Sequence, residues 1–351
     1  MSIPYRTRRT LNRLGIFALI LIIIGGITWI CWVVWLQRYV VYVDGGAMLD
    51  FEHSANDAVG ELATPPKAAE NISIYYNEGA DAIDAGAELT KLSGYYITSE
   101  MFQKDYDNIS LQVERLPAGT AVMIDMKGPY GSFFYQSKLG EALISQGTNI
   151  DQVTALVKKM KDKGFYTIAR ISAFRDYNFG NNHVTSGLYM LSRAGLWMDP
   201  EGYFWLDPTM ATVTNWVSSI VLELRDMGFN EVLLGDFCFP DSDKYIFEGD
   251  KAEALQKAAN TLMSSCSSSK FTLSFLVKDP TFPLPDGRCR MYLDGVDAMS
   301  VGAKAAQVTI DDKENRLVFL TESGDTRFDD YGVLRSMNVA EEVEARKEMQ
   351  Q

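Results

Sequence analysis

The stretch Lys161-Asp162-Lys163-Gly164-Phe165-Tyr166-Thr167-Ile168-Ala169-Arg170-Ile171 decides the fold, because it joins a helix end, a glycine stop and an apolar run with no spacer between them. Upstream of it, Ile150, Val153, Leu156, Val157 and Met160 recur at spacings of three and four, while Lys158, Lys159, Lys161 and Lys163 fall on the other face. Residues 149–164 therefore read as an amphipathic helix ended by glycine. Residues 166–171 are nearly continuous in apolar side chains, as a strand buried on both faces requires. The same handover recurs at Arg225-Asp226-Met227-Gly228-Phe229, after a helical face of Val213, Trp216, Val217, Ile220, Val221, Leu224 and Met227 that Asp207-Pro208 starts. A helix that stops at glycine and gives way at once to a buried strand is the second half of a βα unit. Right-handed repetition of such units makes a parallel sheet or a barrel.

Working outward, residues 94–98, 121–126, 231–237, 271–277, 298–301 and 317–321 are the remaining candidate strands. The span 93–335 is close to the roughly 250 residues usual for a TIM-type (β/α) barrel. No Gly-rich phosphate loop follows any strand, so the barrel is favoured over a doubly wound sheet. After residue 301 there is room for little more than one further clear strand, which leaves open a barrel incomplete at its C-terminal end.

Residues 15–36 hold no ionisable side chain and, at about 1.5 Å per residue, are long enough to cross a hydrocarbon core of roughly 30 Å. They are longer than the apolar core of a cleaved signal, the alternative reading, and pass without small residues from Trp35 into Gln37, Arg38 and Tyr39. Arg6, Arg8, Arg9 and Arg13 precede the span and only Arg38 follows closely, which puts the N-terminus in the cytoplasm and the rest outside. The expected organisation is a basic cytoplasmic tail (1–14), a transmembrane helix (15–36), a stalk (37–92), the barrel (93–335) and a charged tail (336–351). The lipid bilayer is then one partner. Beyond residue 38 the chain carries 28 basic and 46 acidic residues, a formal charge of −18. Such a domain repels nucleic acid and suits a neutral or cationic ligand.

Histidine is limited to His53 and His183, which excludes a multi-imidazole zinc site, and no serine has the elbow spacing of a nucleophilic triad. No metal or other cofactor is implied. Cys238, Cys266 and Cys289 can make at most one bridge. Carboxylates remain as catalysts, and in barrels of this type they stand where strands end. Those ends offer Asp125 and Lys127, then Arg170 with Asp176, then Asp236, then Lys278 and Asp279. Glycoside cleavage needs two acids roughly 5 to 9.5 Å apart. Helix capping and pairing with Lys127 or Arg170 are the competing roles for the same acids. Residues 177–205 add Tyr177, Phe179, Tyr189, Trp197, Tyr203, Phe204 and Trp205. Loop packing explains most of them, while Trp197 and Trp205, beside Asp199 and Asp207, are candidates for a groove that holds sugar.

Ile124-Asp125-Met126-Lys127, the 161–171 stretch, Phe174-Arg175-Asp176, Gly195-Leu196-Trp197, Trp205-Leu206-Asp207-Pro208 and Gly228-Phe229-Asn230-Glu231-Val232 up to Phe239-Pro240 together resemble the bacterial "putative glycoside hydrolase" domain family. The resemblance implies a TIM barrel related to alpha-amylase-like enzymes, secreted or anchored at the bacterial cell envelope. It runs in order over residues 94–240 and departs from the family in two places. Gly235 and Cys238 stand where the family has an Asp and an Arg, so that the nearest acid, Asp236, is one residue late and on the wrong strand face unless a bulge corrects it. Met299-Ser300-Val301-Gly302 stands where the family has Pro-Met-Tyr. The expected function is a glycoside hydrolase-like protein acting on envelope or extracellular polysaccharide, with Asp236, Asp125 and Asp279 as acids. Arg170, Lys127, Asp176, Trp197, Trp205 and Asp207 are the expected substrate contacts. A non-catalytic carbohydrate-binding or scaffold protein on a degenerate barrel is the alternative, and a structural partner in an envelope complex a third.

Overall fold

A computed structural model describes residues 88–350, with side chains to 346, the backbone of 40–43 and 46–49, and positions 25, 26, 28, 29 and 32. The chain divides into two units, Met1–Glu78 and Gly79–Gln351. In the first, Val40–Val43 pairs antiparallel with Gly46–Leu49 inside the segment read as a stalk. The tail 1–14, most of the span 15–36 and His53 lie outside the described residues. Among the described residues no helix is long and apolar enough to cross a membrane.

The second unit is built on eight parallel strands: β1 Ser93–Ile97, β2 Ala121–Lys127, β3 Tyr166–Ser172, β4 Glu231–Gly235, β5 Thr272–Leu276, β6 Met291–Leu293, β7 Leu317–Thr321 and β8 Gly332–Ser336. Each pairs with its neighbour in sequence, and β8 pairs back onto β1, so the sheet closes. Closure corrects the expectation of an incomplete barrel. Three elements differ from the pattern in the sequence. Residues 298–301 are not a strand: Ala298–Ser300 is a 3-10 turn and Val301–Gln307 a helix. The sixth strand is the three-residue run Met291–Leu293, and the eighth carries a buried Arg335. No helix separates β5 from β6, so the glycine-to-strand handover that marks the earlier units is missing there.

The helices of this unit are α1 Ser99–Lys104, α2 Tyr106–Arg115, α3 Ile150–Asp162, α4 Tyr177–Asn182, α5 Ala211–Asp226, α6 Lys251–Cys266, α7 Val301–Gln307, α8 Lys313–Arg316 and α9 Ala340–Gln350. The two deciding glycines behave as the sequence requires, with φ of +70° at Gly164 and +88° at Gly228, the left-handed region in which a side chain is strained. Asn149 caps α3 by accepting from Gln152 N at 3.2 Å. Asp207 does not cap α5, which begins four residues later; it accepts from Thr209 N instead, within its own turn. Helix α9 belongs to the fold, since Ala340 and Val343 are buried and Tyr95 donates to Glu344 at 2.6 Å.

Alternate strand residues serve two cores. Val122, Ile124, Ala169, Ile171, Val232 and Leu234 face the helices, while Ala121, Met123, Ile168, Leu233, Tyr292, Val318 and Leu334 fill the barrel. At the N-terminal floor of the barrel sits a buried polar plug. Glu231, the first residue of β4, meets Arg290, accepts from Tyr292 Oη at 2.7 Å and from Tyr166 Oη at 2.9 Å. Arg290 also donates to the Thr90 carbonyl at 2.9 Å and the Asn315 carbonyl at 3.0 Å. A charge removed from water is tolerated when its hydrogen-bonding capacity is filled in this way. Burial and the neighbouring carboxylate push the Tyr166 hydroxyl up to about 12.

Candidate functional site

By the alternation that places Ile168 inside the barrel, Asp125 of β2 and Arg170 of β3 point into its C-terminal mouth. There they hold each other: Arg170 Nε reaches Asp125 Oδ1 at 2.5 Å and Nη2 reaches Oδ2 at 3.0 Å, a two-pronged clamp. Ser99 N adds a third bond to Asp125 Oδ2 at 2.9 Å. Burial works against the Arg170 charge, but Asp125 outweighs it and holds the guanidinium above its ordinary range. Asp125 is thus the anchor of a positioned cation.

Asp236 follows the inward position Gly235, and its backbone corrects the face. With φ at +49° it leaves the strand in the left-handed region, and its Oδ2 accepts from Ser172 Oγ at 2.6 Å at the end of β3. Such a conformation in a non-glycine residue is rare and clusters at functional sites. Beside it, burial pushes the Cys238 thiol up to about 11, with Lys278 pulling it down and Asp236 and Asp294 pushing it up. Cys238, Cys266 and Cys289 are all free.

A cleft of about 1070 Å³ opens at this mouth, lined by Tyr96 of β1 and Thr98 just after it, Arg170, Asp294 after β6, Glu322 after β7 and Ser336. Asp294 and Glu322 are exposed, and the described residues include no ion pair to either. The Tyr96 hydroxyl is raised first by burial and then by Glu322. Sequence reasoning missed these two acids. Asp294 follows a strand too short to notice, whereas Glu322 was available as the first acid beyond residues 317–321.

The other expected site residues lie elsewhere. Lys127 and Asp176 form an ion pair at 2.8 Å with side chains 0% and 1% exposed, which corrects their assignment as substrate contacts. Lys127 also donates to the Ser172 carbonyl at 2.8 Å, and Asp176 caps α4 through Phe179 N at 2.8 Å. Asp279 is exposed and accepts from Thr281 Oγ1 and N, bonds that hold its carboxyl below the usual range. Asp207 likewise closes a turn with Thr209, at the edge of a separate pocket. Trp197 and Trp205 are buried with Leu188 and Tyr245 in a small loop core. There Trp205 Nε1 donates to Asp199 at 3.0 Å, and Arg175 completes the cluster from 2.6 Å. Packing, the competing explanation, accounts for both tryptophans.

A closed eight-stranded parallel barrel with ionisable side chains gathered at its C-terminal mouth defines a protein of the TIM-type (β/α) barrel class. Residues 94–275, just over half of the chain, match the family described as "Putative glycosyl hydrolase domain", and the chain belongs to that family. No curated protein matches it. Among solved structures, a hypothetical protein from Ruminiclostridium thermocellum ATCC 27405 aligns at 20% identity and TM-score 0.44, over 52% of this chain and 96% of the other. A Vibrio harveyi GH20 exo-β-N-acetylglucosaminidase aligns at 8% and 0.44, over 66% of this chain and 41% of its own. A Geobacillus stearothermophilus GH36 α-galactosidase aligns at 10% and 0.47, over 75% and 42%. The chain spans less than half the length of either glycosidase.

Proposed function

We propose that this is a membrane-anchored, extracytoplasmic protein of glycoside hydrolase type that acts on cell-envelope or extracellular polysaccharide. The observation that carries the reading is the open cleft at the strand ends, in which Arg170 is clamped and Asp294, among the described residues, makes no ion pair. Hydrolysis of a glycosidic bond needs one carboxyl to protonate the leaving oxygen and another to attack the sugar or activate water. Asp236 and Asp294 are the proposed pair, on strands separated only by β5, with Arg170 orienting the substrate. Asp125 serves by fixing Arg170. Family membership supports the reaction class. The uncharged span at 15–36 and the net acidity beyond it support the location and a neutral or cationic glycan.

The test is release of reducing ends from a panel of envelope and extracellular glycans by the purified full chain. Asp236→Asn and Asp294→Asn should each lose at least about a hundredfold in rate, as general acid–base groups do. Wild-type rates in both variants would reject the pair. A second reading, a non-catalytic glycan binder, is favoured by the clamp that occupies Asp125 and by the glycine and cysteine at positions 235 and 238. It predicts glycan retention without turnover, unchanged by Asp236→Asn.

A further inference from the structure

Three aromatic rings from two loops form one stack on the C-terminal rim, and the reaction proposed above uses none of them. Tyr177 lies between Tyr130 and Phe204, with ring centroids 4.9 and 5.0 Å away and planes inclined by 12° and 6°. Tyr130 stands just beyond β2 and Tyr177 just beyond β3, so both belong to the face where the strands end. The outer ring is open to solvent: Tyr130 is 48% exposed, whereas Trp197 and Trp205 in the neighbouring loop are 9% and 6% exposed. The loop's own packing covers those tryptophans but leaves Tyr130 open to a ligand.

The stack is also held rigidly by its backbone. Tyr177 N donates to the Pro129 carbonyl and Asn178 N to the Tyr130 carbonyl, each at 3.1 Å, so the two loops are bonded through main-chain atoms on both sides of Tyr130. Gly131 turns the chain with φ at +81°, and a Cβ there would fall 2.2 Å from Asp176 Oδ1. A Cβ at Gly180 would fall 2.9 Å from Phe204 Cβ, so the third ring sits against bare backbone. A flat ring fixed in this way loses little conformational freedom when a ligand covers it. Asn178, bonded to the Tyr130 carbonyl through its own N–H, also donates from its side chain to the Glu141 carbonyl at 3.4 Å, and Glu141 pairs with His183. A flat, exposed aromatic face matches the C–H face of a pyranose.

We propose that Tyr130, backed by Tyr177 and Phe204, is a stacking subsite for a sugar ring of an extended glycan, outside the cleft that holds Arg170 and Asp294. The proposal rests on the reading of the barrel as a glycan-binding protein but not on its being catalytic. The test is affinity electrophoresis of the full chain in mild detergent through native gels containing glycol chitosan, hydroxyethyl cellulose or dextran, with Tyr130→Ala and Tyr130→Trp beside the wild type. At least one polymer should retard the wild type. Tyr130→Ala should weaken that retardation roughly tenfold in apparent Kd, and Tyr130→Trp should preserve it. Equal retardation of Tyr130→Ala and wild type overturns the subsite, as does a loss in Tyr130→Trp as large as that in Tyr130→Ala, or a wild type that none of the three polymers retards. Retention that depends on Tyr130 without release of reducing ends keeps the subsite and removes hydrolysis. Hydrolysis abolished by Asp236→Asn while Tyr130→Ala binds as wild type does the reverse.

Discussion

Replacing Arg290 by methionine tests the buried plug at the foot of the two strands that lead to the proposed acids. Glu231 begins β4, whose far end leads to Asp236, and Arg290 immediately precedes β6, whose far end leads to Asp294. Their side chains are 0% and 1% exposed, so Arg290→Met keeps much of the volume but takes the cation from the buried Glu231 carboxylate and leaves it the hydroxyls of Tyr166 and Tyr292. Removing one partner of a buried pair costs about 3 to 5 kcal/mol, chiefly because the other charge is orphaned. For a unit of this size that is a fall in Tm of about 6 to 20 °C. The full chain is melted by circular dichroism as wild type, Arg290→Met, Glu231→Gln and the double variant. Since Glu231→Gln removes the orphaned charge, the double variant should be more stable than Arg290→Met by about 1 to 2 kcal/mol despite its extra substitution. A fall of less than about 3 °C in Arg290→Met, or strictly additive losses in the double variant, would refute the reasoning.

Lys127→Met should destabilise the unit by about 3 to 5 kcal/mol in a urea melt, while the folded fraction keeps its glycan retention, because the Lys127–Asp176 pair is closed to solvent. Gly131→Ala should cost at least about 2 kcal/mol, because it forces an L side chain into a left-handed turn against Asp176, and a melt within error of wild type would contradict the turn geometry. With its thiol pushed up to about 11, Cys238 is almost wholly neutral at pH 7.5. Its alkylation by iodoacetamide, followed by peptide mass mapping, should rise about tenfold per pH unit between pH 8 and 10. A plateau below pH 9 would show a thiolate stabilised at the site.

The repeated handover at Gly164 and Gly228 was legible because it is local: a helix period, a glycine that alone adopts positive φ without strain, and a run apolar on both faces lie within one short segment. The same logic failed between β5 and β6, where no helix intervenes, and at β8, where an arginine breaks the apolar run. Local pattern carries no sign of either strand, because each is fixed by pairing with neighbours distant in sequence.

At the site, residue types near strand ends could be read from the chain, but their environments could not. Lys127 and Arg170 look alike in sequence, yet a bulge between Asp125 and Lys127 turns one into a sealed ion pair while the other stays in the open mouth. Asp236 reaches the end of β3 only because its backbone leaves the strand at positive φ, which no spacing rule foretells. Sequence alone determined the α/β repeat, the uncharged N-terminal span and the acidity of the chain beyond that span. Tertiary structure decided which acids are free, which cations are occupied and which aromatic rings stay uncovered, because burial and pairing depend on segments that meet only when the barrel closes.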